Sequence, residues 1–111
     1  MDKYIELYID KGADFSYTWE LKDDDTNMPQ NVEGYMVYSQ MRRSVLSANA
    51  SANLVCSVID GANGIISLSL DAANTARLRP GPYFFDVINF YDSTERLLEG
   101  VVYVTHGITV I

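Results

Sequence analysis

At 111 residues and a formal net charge of −7, the chain has the length of one domain (1–111) around a single core. Its basic residues are scattered, only Arg42 and Arg43 being adjacent, which excludes the clustered Lys/Arg surface that nucleic acid requires. An apolar content of 48% excludes a disordered chain, no apolar run reaches the roughly 18 residues of a membrane span, and the lone Cys56 excludes an internal disulfide.

The first residues, Met1-Asp2-Lys3-Tyr4, contain no apolar stretch of the kind a secretion signal carries, so synthesis in a reducing cytoplasm is expected. Lys3 to Ile9 predicts a first strand, Tyr4, Glu6 and Tyr8 alternating with Ile5, Leu7 and Ile9. Asp10-Lys11-Gly12-Ala13 predicts a turn. Phe15, Tyr17, Trp19 and Leu21 then alternate with Ser16, Thr18, Glu20 and Lys22, the clearest half-buried strand in the chain, with Trp19 expected in the core.

Asp23-Asp24-Asp25-Thr26-Asn27 reads as a solvated acidic turn. Asp23, Asp25 and Asn27 have the first three spacings of a calcium loop, but Met28 stands where that loop needs Gly and Gly34 where it needs Glu. After Val32-Glu33-Gly34 a third strand is predicted over Tyr35 to Arg43, then a loop of small and polar residues over Ser44 to Ala52. A fourth strand follows over Asn53 to Ile59, with Leu54, Cys56 and Val58 on one side, and a fifth over Ile65 to Leu70. The run 71–78 is the one plausible helix, capped by Asp71, and is expected to act as a crossover.

Pro80-Gly81-Pro82 forces a turn before the most strongly marked strand, Tyr83 to Tyr91. Tyr83, Phe85 and Val87 fall on one face of it; Phe84, Asp86 and Ile88 fall on the other. Leu78, Pro-Gly and then Tyr83 resemble the tyrosine corner of immunoglobulin-like sandwiches, in which the Tyr hydroxyl bonds back to the preceding connection. A hairpin turn over Asp92 to Glu95 leads into a last long strand, Arg96 to Thr105. The fold class expected is all-β: an antiparallel two-sheet Ig-like sandwich of about seven strands with one short helix. Trp19, Tyr83, Gly34 and Gly81 are its expected structural residues.

No catalytic set emerges. His106 is the only histidine, Cys56 reads as a buried apolar residue rather than a thiolate, and no Cys or His pair exists to hold zinc. Asp86 and Glu99 are the in-sheet carboxylates, and Asp86 is expected to pair with an Arg such as Arg42. No cofactor, metal, nucleic acid or membrane is expected as a ligand. The end Ile108-Thr109-Val110-Ile111 is unusually apolar, and is expected either as a short edge strand of this domain or as a segment docking on a neighbouring subunit. Ile108, Val110 and Ile111, with Tyr4 and Tyr8 of the first strand, are the expected interface residues.

Several motifs occur together: Asn31-Val32-Glu33-Gly34-Tyr35, Ser39-Gln40-Met41-Arg42, Gly64-Ile65-Ile66-Ser67-Leu68, Thr75-Ala76-Arg77-Leu78, Pro80 through Val87, and Glu99-Gly100-Val101-Val102-Tyr103-Val104. In order and spacing, from about Gly12 to Val104, the chain resembles the small β-sandwich domains of tailed-bacteriophage virion proteins, nearest the N-terminal domain of the baseplate upper protein. It departs from them at Val32-Glu33-Gly34, where the family often has Leu-Thr-Gly. The resemblance implies a non-enzymatic tail, baseplate or fibre-attachment component in the virion, held by other virion proteins and copies of itself. The alternatives are a capsid decoration protein and a carbohydrate-binding module for host surfaces, whose aromatic platform would be Tyr35, Tyr38, Phe90 and Tyr91.

Overall fold

The computed structural model describes residues 4–23, 25–44, 51–91 and 94–106. Seven strands run β1 (Tyr4–Asp10), β2 (Phe15–Glu20), β3 (Val37–Arg42), β4 (Ala52–Asp60), β5 (Ile65–Leu70), β6 (Gly81–Asn89) and β7 (Glu95–Thr105), with one short helix, α1 (Ala72–Thr75). They are hydrogen-bonded in the order β1-β7-β6-β3-β4-β5-β2. The chain is therefore all-β, and the alternation of its sequence is the cause: inward Tyr83, Phe85, Val87 and Asn89 are buried while Phe84 between them is exposed.

Strand direction differs from the expectation in one pair. β1 and β7 run parallel, Tyr4 opposite Glu99 through Asp10 opposite Thr105, and the other ladders are antiparallel. A parallel pair cannot close through a tight turn; here the rest of the domain is the connection. β4 serves two partners. Ala52 to Leu54 pair with β3, and Val55 to Asp60 pair with β5 around an irregularity between Val58 and Asp60.

The inward faces of all seven strands share one core, which includes Leu7, Ile9, Trp19, Met41, Leu54, Ile66, Leu68, Phe85, Leu98 and Val102. Trp19 sits there as expected, stacked on Tyr17 at 6.3 Å. Its indole N–H has no acceptor among the described residues. Cys56 is half-buried, and burial pushes its thiol up to about 12, so it is a poor nucleophile at neutral pH.

α1 is shorter than the run 71–78. Asp71 caps it by accepting from the Asn74 amide at 3.0 Å, and turns follow over 76–77. Buried Thr75 fastens it to the β1–β2 turn: its hydroxyl donates to Ala13 O (2.8 Å) and accepts from the Gly12 amide (3.0 Å). Lys11 adds a bond from Nζ to Leu78 O at 2.8 Å. β3 begins at Val37 rather than Tyr35, because Gly34, at φ +79°, turns the chain and the Tyr35 amide bonds back to Val32 O.

The connection into β6 is held by two residues. Buried Tyr83 donates from its hydroxyl to Arg79 O at 2.7 Å. Arg43 lies over the Tyr83 ring, 4.6 Å from its centroid, and donates to Pro82 O (3.1 Å) and Pro80 O (3.3 Å). Between those prolines Gly81 adopts φ +126°, and a Cβ there would lie 2.7 Å from Arg43 Nη1. Tyr83→Phe removes only the hydroxyl bond and should lower the unfolding free energy by about 1 kcal/mol, read as a shifted urea midpoint.

Candidate functional site

The outward residues of adjacent strands form the candidate site, and the registers set them in rows. Tyr4, Glu99, Asp86, Gln40 and Asn53 make one row across β1, β7, β6, β3 and β4. Glu6, Val101, Phe84 and Arg42 make the next, and Tyr8, Tyr103 and Pro82 a third. They alternate along each strand with the core residues, so the same period that builds the core gathers these side chains on the other face.

Around the first two rows lies an open hollow of about 540 Å³. Aromatic rings from Tyr4, Tyr38 and Phe84 rim it, and all three are exposed. Polar groups cross its middle. Arg42 Nη2 donates to Gln40 Oε1 (2.8 Å), and Gln40 Nε2 donates to Asn53 Oδ1 (3.0 Å) and Tyr38 Oη (3.2 Å). Arg96 joins the two carboxylates, Nε lying 3.4 Å from Asp86 Oδ2 and Nη1 3.4 Å from Glu99 Oε2. The sequence alone does not single out Arg96 as a partner of Asp86; it comes from β7, beside β6 in the sheet. These side chains are all more than a third exposed, so the pairs add little stability and chiefly set orientation.

Two further aromatic contacts flank the hollow. Tyr8 stacks on Tyr103 at 5.4 Å, and Tyr38 meets Phe90 edge-on at 6.4 Å. The carboxylate of Glu6 is the main cause holding the Tyr103 phenol above its ordinary range.

The expected site residues divide as follows. Tyr4 and Tyr8 project from β1 on this face, 61% and 63% exposed, which makes both available to a partner. Ile108, Val110 and Ile111 lie outside the described residues. Of the platform aromatics, Tyr38 lines the hollow, Phe90 packs on Tyr38, Tyr91 is exposed, and half-buried Tyr35 accepts a bond from Gln30 Nε2 at 3.0 Å. Glu99 lines the hollow, whereas His106 lies beyond β7 and is not among its lining residues.

In the acidic turn, Asp23 Oδ1 accepts from the amides of Asp25 (2.9 Å) and Thr26 (3.2 Å), so that carboxylate is used to close its own loop. Among the described residues no cluster of three metal-binding side chains occurs.

Sequence reasoning missed Gly100 and Arg43. A Cβ on Gly100 would lie 1.7 Å from Ile5 O, so only glycine lets β1 seat on β7. Its one sequence signal is a glycine inside an otherwise unbroken strand pattern.

No protein-family model matches the chain, and no curated protein does. Among solved structures, the chain is similar to an internalin-like protein of Listeria monocytogenes, at 15% identity and a TM-score of 0.45. That match covers 96% of this chain, which spans 30% of the length of the other.

Proposed function

We propose that the chain is a non-enzymatic structural module of a tailed-bacteriophage virion, in the tail, baseplate or fibre attachment, working by protein–protein contact. The observation that supports contact as its mode of action is the aromatic face. Tyr4, Tyr8, Tyr38 and Phe84 stand exposed on one side of the sheet with Arg42 and Arg96 among them. Aromatic residues and Arg are the types enriched where protein surfaces meet. The virion setting rests on the motif resemblance alone. The finer fold in this reading is a two-sheet Ig-like sandwich, supported by the division of β4 between β3 and β5 and by the Tyr83–Arg79 bond. Other virion proteins and copies of this chain are its partners, and the bacterial cytoplasm is where it is made.

A phage carrying this chain as its only copy supplies the test. Tyr38→Ser with Phe84→Ser should leave the thermal melt of the purified protein within a few degrees of the parent, since both side chains are exposed. The same pair should cut incorporation into particles at least about tenfold, the equivalent of one lost anchor contact. Unchanged incorporation would sink the use of this face. An electron-microscopy map of the particle then places the chain: a few to tens of copies put it in the tail, hundreds make it a capsid decoration protein, and absence from the particle ends the virion reading.

One observation favours a second reading. Rings beside convergent amide, guanidinium and carboxylate groups also suit a saccharide, whose C–H faces stack on aromatics while its hydroxyls donate and accept. Specific glycan binding by the isolated protein, lost in the same double variant, would support a host-surface binding module instead.

A further inference from the structure

We infer that β1 is a self-pairing edge, and that two copies of this chain join through it antiparallel about a two-fold axis at Leu7. The inference deepens the assembly reading above, on which it rests, by naming one partner as a second copy.

Among the described residues, β1 stands at the end of the strand order with β7 as its only sheet neighbour. The Lys11 amide donates to Thr105 O at 2.9 Å, so by alternation the main-chain groups of Ile5, Leu7 and Ile9 turn toward β7 and those of Tyr4, Glu6 and Tyr8 turn to the open edge. Natural edges of this length are usually blunted by charged side chains, above all Lys, by Pro or by a bulge. Tyr-Ile-Glu-Leu-Tyr-Ile-Asp contains neither Lys nor Pro, its register on β7 is unbroken, and its two charges, Glu6 and Asp10, are the feature that the pairing register has to accommodate.

The side chains select both partner and register. Two β1 edges can pair only where open groups meet open groups, which keeps Tyr4, Glu6, Tyr8 and Asp10 opposite one another. A two-fold at Glu6 would set Glu6 against its own copy, and one at Tyr8 would set Glu6 against Asp10, twice. A two-fold at Leu7 sets Glu6 opposite Tyr8 and Tyr4 opposite Asp10 in both copies, so no carboxylate faces another. It is also the register that overlaps all seven residues of the strand. Each phenol can then donate to the carboxylate across from it. The Glu6 and Tyr8 pairs supply four main-chain bonds, and Leu7 meets Leu7 on the core side, where that residue is already buried. The Tyr8–Tyr103 stack of each copy flanks this ladder on the outer face.

Sedimentation equilibrium on the purified chain across a concentration series tests this. The parent should approach twice the 12.4 kDa chain mass at high concentration. Tyr8→Glu places a carboxylate opposite Glu6 in both pairs and should weaken the dimer at least about tenfold. Tyr8→Lys places a cation opposite Glu6 in both pairs and should hold or tighten it. Tyr8 is exposed, so both variants should melt near the parent once each is measured as monomer. A single-chain mass up to about 1 mM overturns the inference. So does a dimer that Tyr8→Glu leaves intact, or one that Tyr8→Lys disrupts, since repulsion between two lysines belongs to the register centred on Tyr8. These outcomes are separate from the assembly reading: a monomeric chain whose aromatic face still governs incorporation would remove the edge pairing alone.

Discussion

Gly100→Ala should unseat β1 and destabilise the domain by several kcal/mol. The added methyl would stand 1.7 Å from Ile5 O and 3.0 Å from Ile5 N, against main chain rather than a flexible side-chain tip. Relief requires β1 to move off β7, which brings Leu7 and Ile9 out of the core, each worth roughly 1.5–3 kcal/mol of burial. The measurement is amide exchange together with urea unfolding: the amides of Ile5, Leu7 and Ile9 should lose protection before those of the other strands, and the midpoint should fall. Gly34→Ala is the internal comparison. That residue sits at φ +79°, and a methyl group added there would meet nothing within 4 Å, so its cost should be about 1 kcal/mol of backbone strain. Equal losses at the two positions would show that β1 does not depend on close approach at Gly100.

Trp19→Ala should cost about 3–5 kcal/mol, because it leaves a cavity where β2 faces the core. Trp19→Phe should cost under half of that. It keeps a ring to pack against Tyr17 and removes an indole N–H that is buried without an acceptor among the described residues. An unmade bond of that kind carries a penalty of about 1–3 kcal/mol, which offsets part of the lost ring volume. Urea denaturation of the three proteins reads the order directly. A Phe variant as unstable as the Ala variant would mean that indole volume, and not ring stacking, is what the site requires.

How much of this is legible in the sequence follows from the range of each interaction. The pattern predicts β5 over Ile65 to Leu70, and the strand occupies those residues, because strict alternation between a Gly-rich turn and a helix cap leaves no other boundary. The helix predicted to run to Leu78 ends at Thr75, since its stability comes from the Asp71 cap and the Thr75 bonds rather than from its alanines. The split of β6 into a core face and an outer face is legible from Tyr83 to Ile88 alone. The hollow is not, because it is made by neighbours in the sheet: Tyr4, Gln40, Asp86 and Glu99 meet only once strand order and register are fixed. The parallel direction of β1 is hidden for the same reason, alternation being identical in either sense.

The pairing of Tyr4 with Glu99 joins the first and the last of the described strands. As the chain emerges from the ribosome, the segment holding Ile5, Leu7 and Ile9 cannot dock on β7 until that strand has left the exit tunnel. Such remote closure makes for slow acquisition of the native state and a long interval in which a greasy segment stays open to strangers. Overexpression should therefore favour inclusion bodies at high temperature, and slower synthesis in the cold should raise the soluble yield.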